Sequence, residues 1–216
     1  MAVYGGPDIV TDGLVLHLDA GNSKSYPGSG NIWFDLSGNN RNFNLVGSLV
    51  HDGFYFDGFN DSNYASGSSY SHRNDDYTYS VWFMYDVLTS YATIFENGSW
   101  SDTLLYRSFN SIIQVYAEGG YFGQHSFGYT TNQWYNVVLR RQSSTSQSFI
   151  NGIPGNSLSL NIDINLANQN MFLLRSQHTT NQFTNGKLSV FSLYDEALSD
   201  SQILDNYKAI KGRFGL

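Results

Sequence analysis

The sequence predicts an all-β sandwich of two antiparallel sheets closed by one short C-terminal helix. Composition is the first sign: 16 Tyr, 15 Phe and 21 Gly against 3 Pro, with 13% charged residues, favour strands and turns over helices. Residues 134–141 are the second. Trp134, Asn136, Val138 and Arg140 alternate with Tyr135, Val137, Leu139 and Arg141, the period of a strand. A polar turn at 143–146 leads to a strand at 147–150. That strand meets Asn151-Gly152, the pair best suited to the positive φ of a type I′ hairpin turn. A third short strand follows at 156–160.

The remaining elements follow in order. A chain of 216 residues buries roughly 70–75% of the surface it exposes unfolded, so one core is expected, in a single domain over 13–216 after a lead segment at 1–12. Leu14, Leu16 and Leu18 mark a first strand, and 21–30 is turn chemistry. Trp33, Phe34 and Leu36 anchor a loop ahead of a short segment at 43–46. Strands are expected at 54–57, 77–85, 92–96, 103–109 and 112–117. Their boundaries of Gly, Asn or Ser fall about 8 to 12 residues apart, the rhythm of a sandwich. Gly119, Gly120 and Gly123 predict a loop displaying Tyr121, Phe122 and His125, and 171–175 and 187–194 complete the sheets. Near the C-terminus, Ser199 and Gln202 form a capping box, Leu198 staples onto Ile203, and Ile203, Tyr207 and Ile210 share one face of a helix that Gly212 ends.

Charge and residue usage remove several functions. A formal charge of −7 without any Lys/Arg-rich run lacks the phosphate-neutralising surface of a nucleic-acid binder. Cysteine is absent, and with it disulfides, thiolate metal sites and thiol nucleophiles. The start has no signal-peptide pattern and no apolar run can span a bilayer, so a soluble chain without membrane insertion is expected. Glycan-cleaving enzymes built on a β-sandwich often set carboxylates two apart on one strand. Here no acid-x-acid occurs, Glu stands only at 96, 118 and 196, and Asp75-Asp76 and Asp195-Glu196 are adjacent. No G-x-S-x-G elbow occurs, and His17, His51, His72, His125 and His178 lack metal-ligand spacing. A non-enzymatic chain is therefore expected.

Binding chemistry has better candidates. Sugar recognition needs aromatic faces against C–H surfaces beside groups that bond hydroxyls. The candidates are Trp100 in NGSWSD, Tyr106, Tyr121, Phe122 and His125, with Trp100 also suited to anchoring its own loop. Trp82, Phe83 and Trp134 fall in alternating strands and are assigned to the core. Asp57, Asn60 and Asp61 supply oxygen ligands for calcium from one tight turn, and the same residues also build an Asx turn with no metal.

Several segments carry a family resemblance: LHLDAGNSKSYPGSG and WFDLSGN at the start, FDGFNDSNY, YSVWF, WYNV with FING in the centre, and YDEALSDSQI at the end. Together they resemble the laminin G-like branch of the concanavalin A-like lectin and glucanase superfamily, of the kind found in phage structural proteins. That resemblance implies a concanavalin A-like jelly roll and a structural calcium near Asp57. Against the calcium stands Asn185-Gly186-Lys187-Leu188-Ser189, where relatives often carry an acidic residue. It also implies a non-catalytic adhesion or decoration module on a virion surface, binding a glycan or a neighbouring capsid or fibre protein. The alternatives on the same fold are a polysaccharide-degrading enzyme with its acids on separate strands, and a purely structural particle protein that self-associates into a homo-oligomer.

Overall fold

The computed structural model describes residues 8–72, 75–87, 91–99, 102–109, 112–117, 120–160, 169–177 and 182–216, with side chains described outside 99, 102–109, 117 and 120–122. In chain order the strands are β1 (Leu14–Asp19), β2 (Ile32–Trp33), β3 (Phe43–Val46), β4 (Val50–His51), β5 (Phe56–Phe59), β6 (Tyr64–Ser68), β7 (Tyr77–Val87) and β8 (Ala92–Ser99). They continue as β9 (Asp102–Phe109), β10 (Ile112–Ala117), β11 (Gly120–Ser126), β12 (Trp134–Gln142), β13 (Thr145–Ile150), β14 (Ile153–Ser159), β15 (Asn170–Leu173) and β16 (Asn185–Tyr194). Helix α1 (Asp200–Lys211) and a 3-10 turn, Gly212–Phe214, follow.

Two antiparallel sheets face each other. The first has the order β14-β13-β12-β7-β16-β5-β4, with β1 also paired to β16, and the second β11-β10-β9-β8-β15-β6-β3-β2. Period-two alternation decides what fills the space between them. Tyr79, Val81, Phe83 and Tyr85 of β7 point inward with Val137 and Leu139 of β12, and meet Phe95, Ile113, Val115, Met171 and Leu173 of the second sheet. Each such side chain contributes roughly 1.5–3 kcal/mol on leaving water.

The opposite face of the first sheet lies under the C-terminal helix. Val138, Phe149 and Tyr194 pack there against Leu198 and Ile203, and the Trp82 ring stacks on Tyr207 and Phe214 at 5.6 and 4.6 Å. Ser199 caps α1 with its reciprocal Gln202 bond, as the sequence predicts. Asn206 reaches past the helix to accept from the Val10 backbone N–H at 2.8 Å, which pins the end of the lead segment.

The predicted hairpin forms, with Asn151 and Gly152 at φ 52° and 77°. Several details differ. Residues 120–126 are a strand rather than a displaying loop, because pairing with β10 satisfies their backbone and Gly123 absorbs a register shift at φ 152°. Gly212 keeps right-handed φ and starts the 3-10 turn, so the left-handed residue that ends the chain's last turn is Gly215. The strand expected at 54–57 runs instead over Phe56–Phe59. Trp134 belongs to the outer aromatic group beside Phe214, 4.4 Å away, and not to the main core.

Candidate functional site

Beyond the core, the second sheet gathers polar and aromatic side chains on its outer face. Strands β6, β15 and β8 lie side by side, with Ala65, Met171 and Leu173 turned to the core. The alternate positions therefore come to the other face, where Phe172 stands opposite Ser66 on one side and Glu96 on the other. Tyr64 lies 5.7 Å from Phe172, ring to ring.

Just past β15 the chain turns sharply at Leu174, a fully buried residue held at φ 57°. A bulky side chain in that region costs of order 1–3 kcal/mol, and such outliers cluster where geometry is needed for a task. Here the turn delivers Arg175, whose guanidinium lies 4.3 Å from the Tyr64 ring centre and whose Nε is 3.6 Å from Asp61 Oδ1. Gln177 follows. Its backbone N–H donates to Glu96 Oε2 at 3.2 Å, and its side-chain amide donates to the Gly98 carbonyl at 2.7 Å.

Glu96 is the most unusual group of the set. Burial raises its carboxyl to about 7, opposed by hydrogen bonds from Ser176 and the Gln177 backbone and by the Arg175 charge. It is wholly buried, with the Gln177 backbone N–H bonded to its carboxyl. The arrangement offers a ligand a guanidinium-capped aromatic surface at Tyr64, with the Gln177 amide and a hidden acid behind it.

The residues singled out from sequence distribute unevenly over this region. Trp100 lies outside the described residues. Tyr106 occupies a β9 position opposite Phe95 and Val115, Tyr121 a β11 position opposite Tyr116, and Phe122 falls at the register shift of β11. His125 is buried, not displayed. Its Nδ1 donates to the Asn156 carbonyl at 3.0 Å, its Nε2 stands 3.3 Å from the Ser146 hydroxyl, and burial lowers its pKa to about 4.

The turn at Asp57, Asn60 and Asp61 does not fit a calcium ion. Asp57 faces the Lys187 ammonium at 3.4 Å and accepts from the Gly58 N–H, and Asp61 faces Arg175. Asn60 Oδ1 is taken by the backbone N–H groups of Ser62 and Asn63 at 2.9 and 3.0 Å. The turn is thus an Asx-type structure whose carboxylates are neutralised by protein cations. Among the described residues no group of three His, Asp or Glu side chains could hold a metal.

Sequence reading missed Tyr64, Glu96, Phe172, Arg175 and Gln177. The only available signal was the rarity of Glu, and Glu96, one of three in the chain, follows Ala92-Thr93-Ile94-Phe95 at the end of a predicted strand. Nothing in one sequence shows that positions 64, 96 and 172 become neighbours across three strands.

Two packed antiparallel sheets, one covered on its outer face by the helix and the other carrying a polar-aromatic cluster, form a lectin-like binding-domain fold. The chain belongs to the concanavalin A-like lectin/glucanases superfamily, whose laminin G-like family model matches residues 57–204. Among solved structures it is similar to the receptor binding domain of botulinum neurotoxin C/D mosaic serotype, at 18% identity and TM-score 0.71 over 92% of this chain and 51% of that one. It is also similar to the binding domain of botulinum neurotoxin DC in complex with rat synaptotagmin II, at 16% identity and TM-score 0.72 over 93% and 52%. A third similar structure, at 13% identity and TM-score 0.71 over 93% and 52%, is described by the dependence of botulinum neurotoxin type C cell entry on two ganglioside molecules. The chain spans about half the length of these structures, and the likeness is one of fold. A comparison with curated proteins found no match.

Proposed function

We propose that this chain is a non-catalytic binding module that takes a glycan on the outer face of its second sheet, around Tyr64, Phe172, Arg175 and Gln177. The observation that carries the reading is the Arg175 guanidinium held 4.3 Å over Tyr64 by a strained turn at Leu174. The turn also seats Leu174 in the core, and the aromatic face with a fixed guanidinium beside it is what a sugar ring with hydroxyls needs. The structural neighbours named for receptors and gangliosides support a binding role by analogy of fold.

The segments at the two ends of the chain resemble phage structural proteins and support placing the module on a virion surface, as an adhesion or decoration element. A neighbouring capsid or fibre protein would meet the same face. Recovery of the protein in purified phage particles by mass spectrometry is the expected outcome, and its consistent absence from them would count against the virion role.

One observation favours a polysaccharide-cleaving enzyme instead: the Glu96 carboxyl, raised to about 7, lies in the range of a general acid. Cleavage also needs an accessible acid and a second carboxylate at a defined separation, but Glu96 is buried and Asp61 is paired with Arg175. A glycan array probed with the wild type, Arg175→Ala and Trp100→Ala, with and without calcium, tests the binding reading. Calcium-independent binding that falls with Arg175→Ala supports it. Release of reducing ends from a bound glycan, lost in Glu96→Gln, would replace it with the enzyme.

A further inference from the structure

The opposite face of the molecule carries a second aromatic surface that the helix clamp does not account for. Helix α1 is held by Leu198, Ile203 and Asn206, and Tyr207 and Phe214 cover Trp82. Beyond Phe214 the run of rings continues outward. Trp134 lies 4.4 Å from Phe214, Tyr55 lies 5.5 Å from Trp134, and Phe54 lies 5.1 Å from Tyr55 and 5.8 Å from Phe214. All four rings are only half-buried. The same Phe54 forms one wall of a cavity of about 470 Å³ lined also by Gly21, Lys208, Ile210, Gly212 and Arg213.

Arg213, which lines the cavity, is fixed by two bonds to the Asp19 carboxylate at 2.6 and 2.9 Å, and a Cβ on Gly21 would fall 2.9 Å from its guanidinium carbon. Any side chain at position 21 would therefore push against that ion pair.

The polar groups around the rings select the ligand. Tyr55 donates to Asp52 Oδ2 at 2.6 Å, and Asp57 and Asp86 flank the Lys187 ammonium at 3.4 and 2.6 Å. One cation among three carboxylates leaves the ring margin net negative, whereas the cavity beside α1 carries Lys208 and the Asp19-paired Arg213, so it is at the rings that an acidic group is repelled and hydroxyl groups find acceptors. Half-exposed rings bordered by carboxylates, with an adjoining cavity, fit the two faces of a sugar: C–H groups on the rings and hydroxyls on the rim.

We propose that Trp134, Tyr55 and Phe54, with the cavity beside α1, form a second saccharide site that takes neutral oligosaccharides. It lies on the opposite sheet from the Tyr64–Arg175 surface and does not depend on the reading of that surface.

The test follows tryptophan emission and titration calorimetry of the purified chain with cellotriose, maltotriose and chitotriose, and with 3′-sialyllactose as the acidic comparison. At least one neutral trisaccharide is expected to bind and shift the emission. Trp134→Phe should abolish the shift, Trp100→Phe should keep it, Tyr55→Ala should weaken binding about 10-fold, and Arg175→Ala should leave it unchanged. Melting curves of each variant show whether it is folded. The proposal is overturned if none of the three neutral sugars binds. It is overturned equally if binding survives both Trp134→Phe and Tyr55→Ala, if the shift maps to Trp100, or if 3′-sialyllactose binds as tightly as the neutral sugars.

Discussion

Four buried titratable side chains set how this protein should respond to pH: Glu96 and three histidines, of which His17 has its pKa lowered by burial. His72 and His125 are held neutral by burial, with pKa values of about 3 and about 4 against 6.5 in the unfolded chain. Between pH 6.5 and 4 the unfolded state therefore binds more protons, and stability falls on acidification by up to about 1.4 kcal/mol per pH unit for each ring. Glu96 runs the other way. Its native carboxyl holds a proton up to about pH 7 and its unfolded counterpart only to 4.5, so its contribution is full below 4.5 and is lost as pH rises through 7. Three rings, His17 included, against one carboxyl leave a net loss from pH 6.5 down to 4.5, steeper just below 4.5 where the carboxyl no longer opposes it. Urea midpoints measured across pH should peak near 6.5, and His125→Gln should flatten the acid limb. A midpoint that stays level between pH 6.5 and 4.5 would contradict the burial of these rings. Arg141 makes a related case, because its buried guanidinium donates to the carbonyls of Asp75 and Leu160 at 2.6 and 3.3 Å. Arg141→Leu should lower the unfolding free energy by about 1–3 kcal/mol for each carbonyl left without a donor, measurable by denaturant titration.

Helix α1 and the turn after β5 show where elements were readable and where they were not. The capping box was visible because both partners lie within four residues, and Ser199→Ala should cost about 1 kcal/mol in a denaturant titration. The 151–152 hairpin was visible for the same reason, since Asn-Gly meets a demand for positive φ at two adjacent residues. The Asp57–Asp61 turn was read as a metal candidate from its oxygen atoms and from the family resemblance, beside its reading as an Asx turn with no metal. Its neutralising cations, Lys187 and Arg175, come from more than a hundred residues away, and local sequence carries no sign of them. Calcium or a chelator is accordingly expected to leave the melting temperature unchanged, and a rise of several degrees with calcium would show that the turn reorganises around the ion. The glycine-marked segment at 120–126 failed in a different way. Glycine there signals a register shift inside a strand, where a Cβ at position 123 would fall 3.2 Å from Leu158, and not a free loop.

For the whole molecule, period-two alternation and turn residues were enough to indicate a two-sheet sandwich, because each strand's pattern is local. Which strands become neighbours is not local, and the Tyr64, Glu96, Phe172 and Arg175 cluster is a product of that pairing. The result is a sandwich with the outer face of one sheet covered by its own helix and the outer face of the other carrying Tyr64, Phe172 and Arg175. Among the described residues no helix is long and apolar enough to cross a membrane. The deciding measurement is a calorimetric titration of the strongest glycan from the array into wild type, Tyr64→Ala and Arg175→Ala, with melting curves beside each. Loss of about 10-fold or more in affinity in both variants, at unchanged melting temperature, is the predicted result. Undiminished affinity in both folded variants would contradict the placement of the site on the outer face of the second sheet.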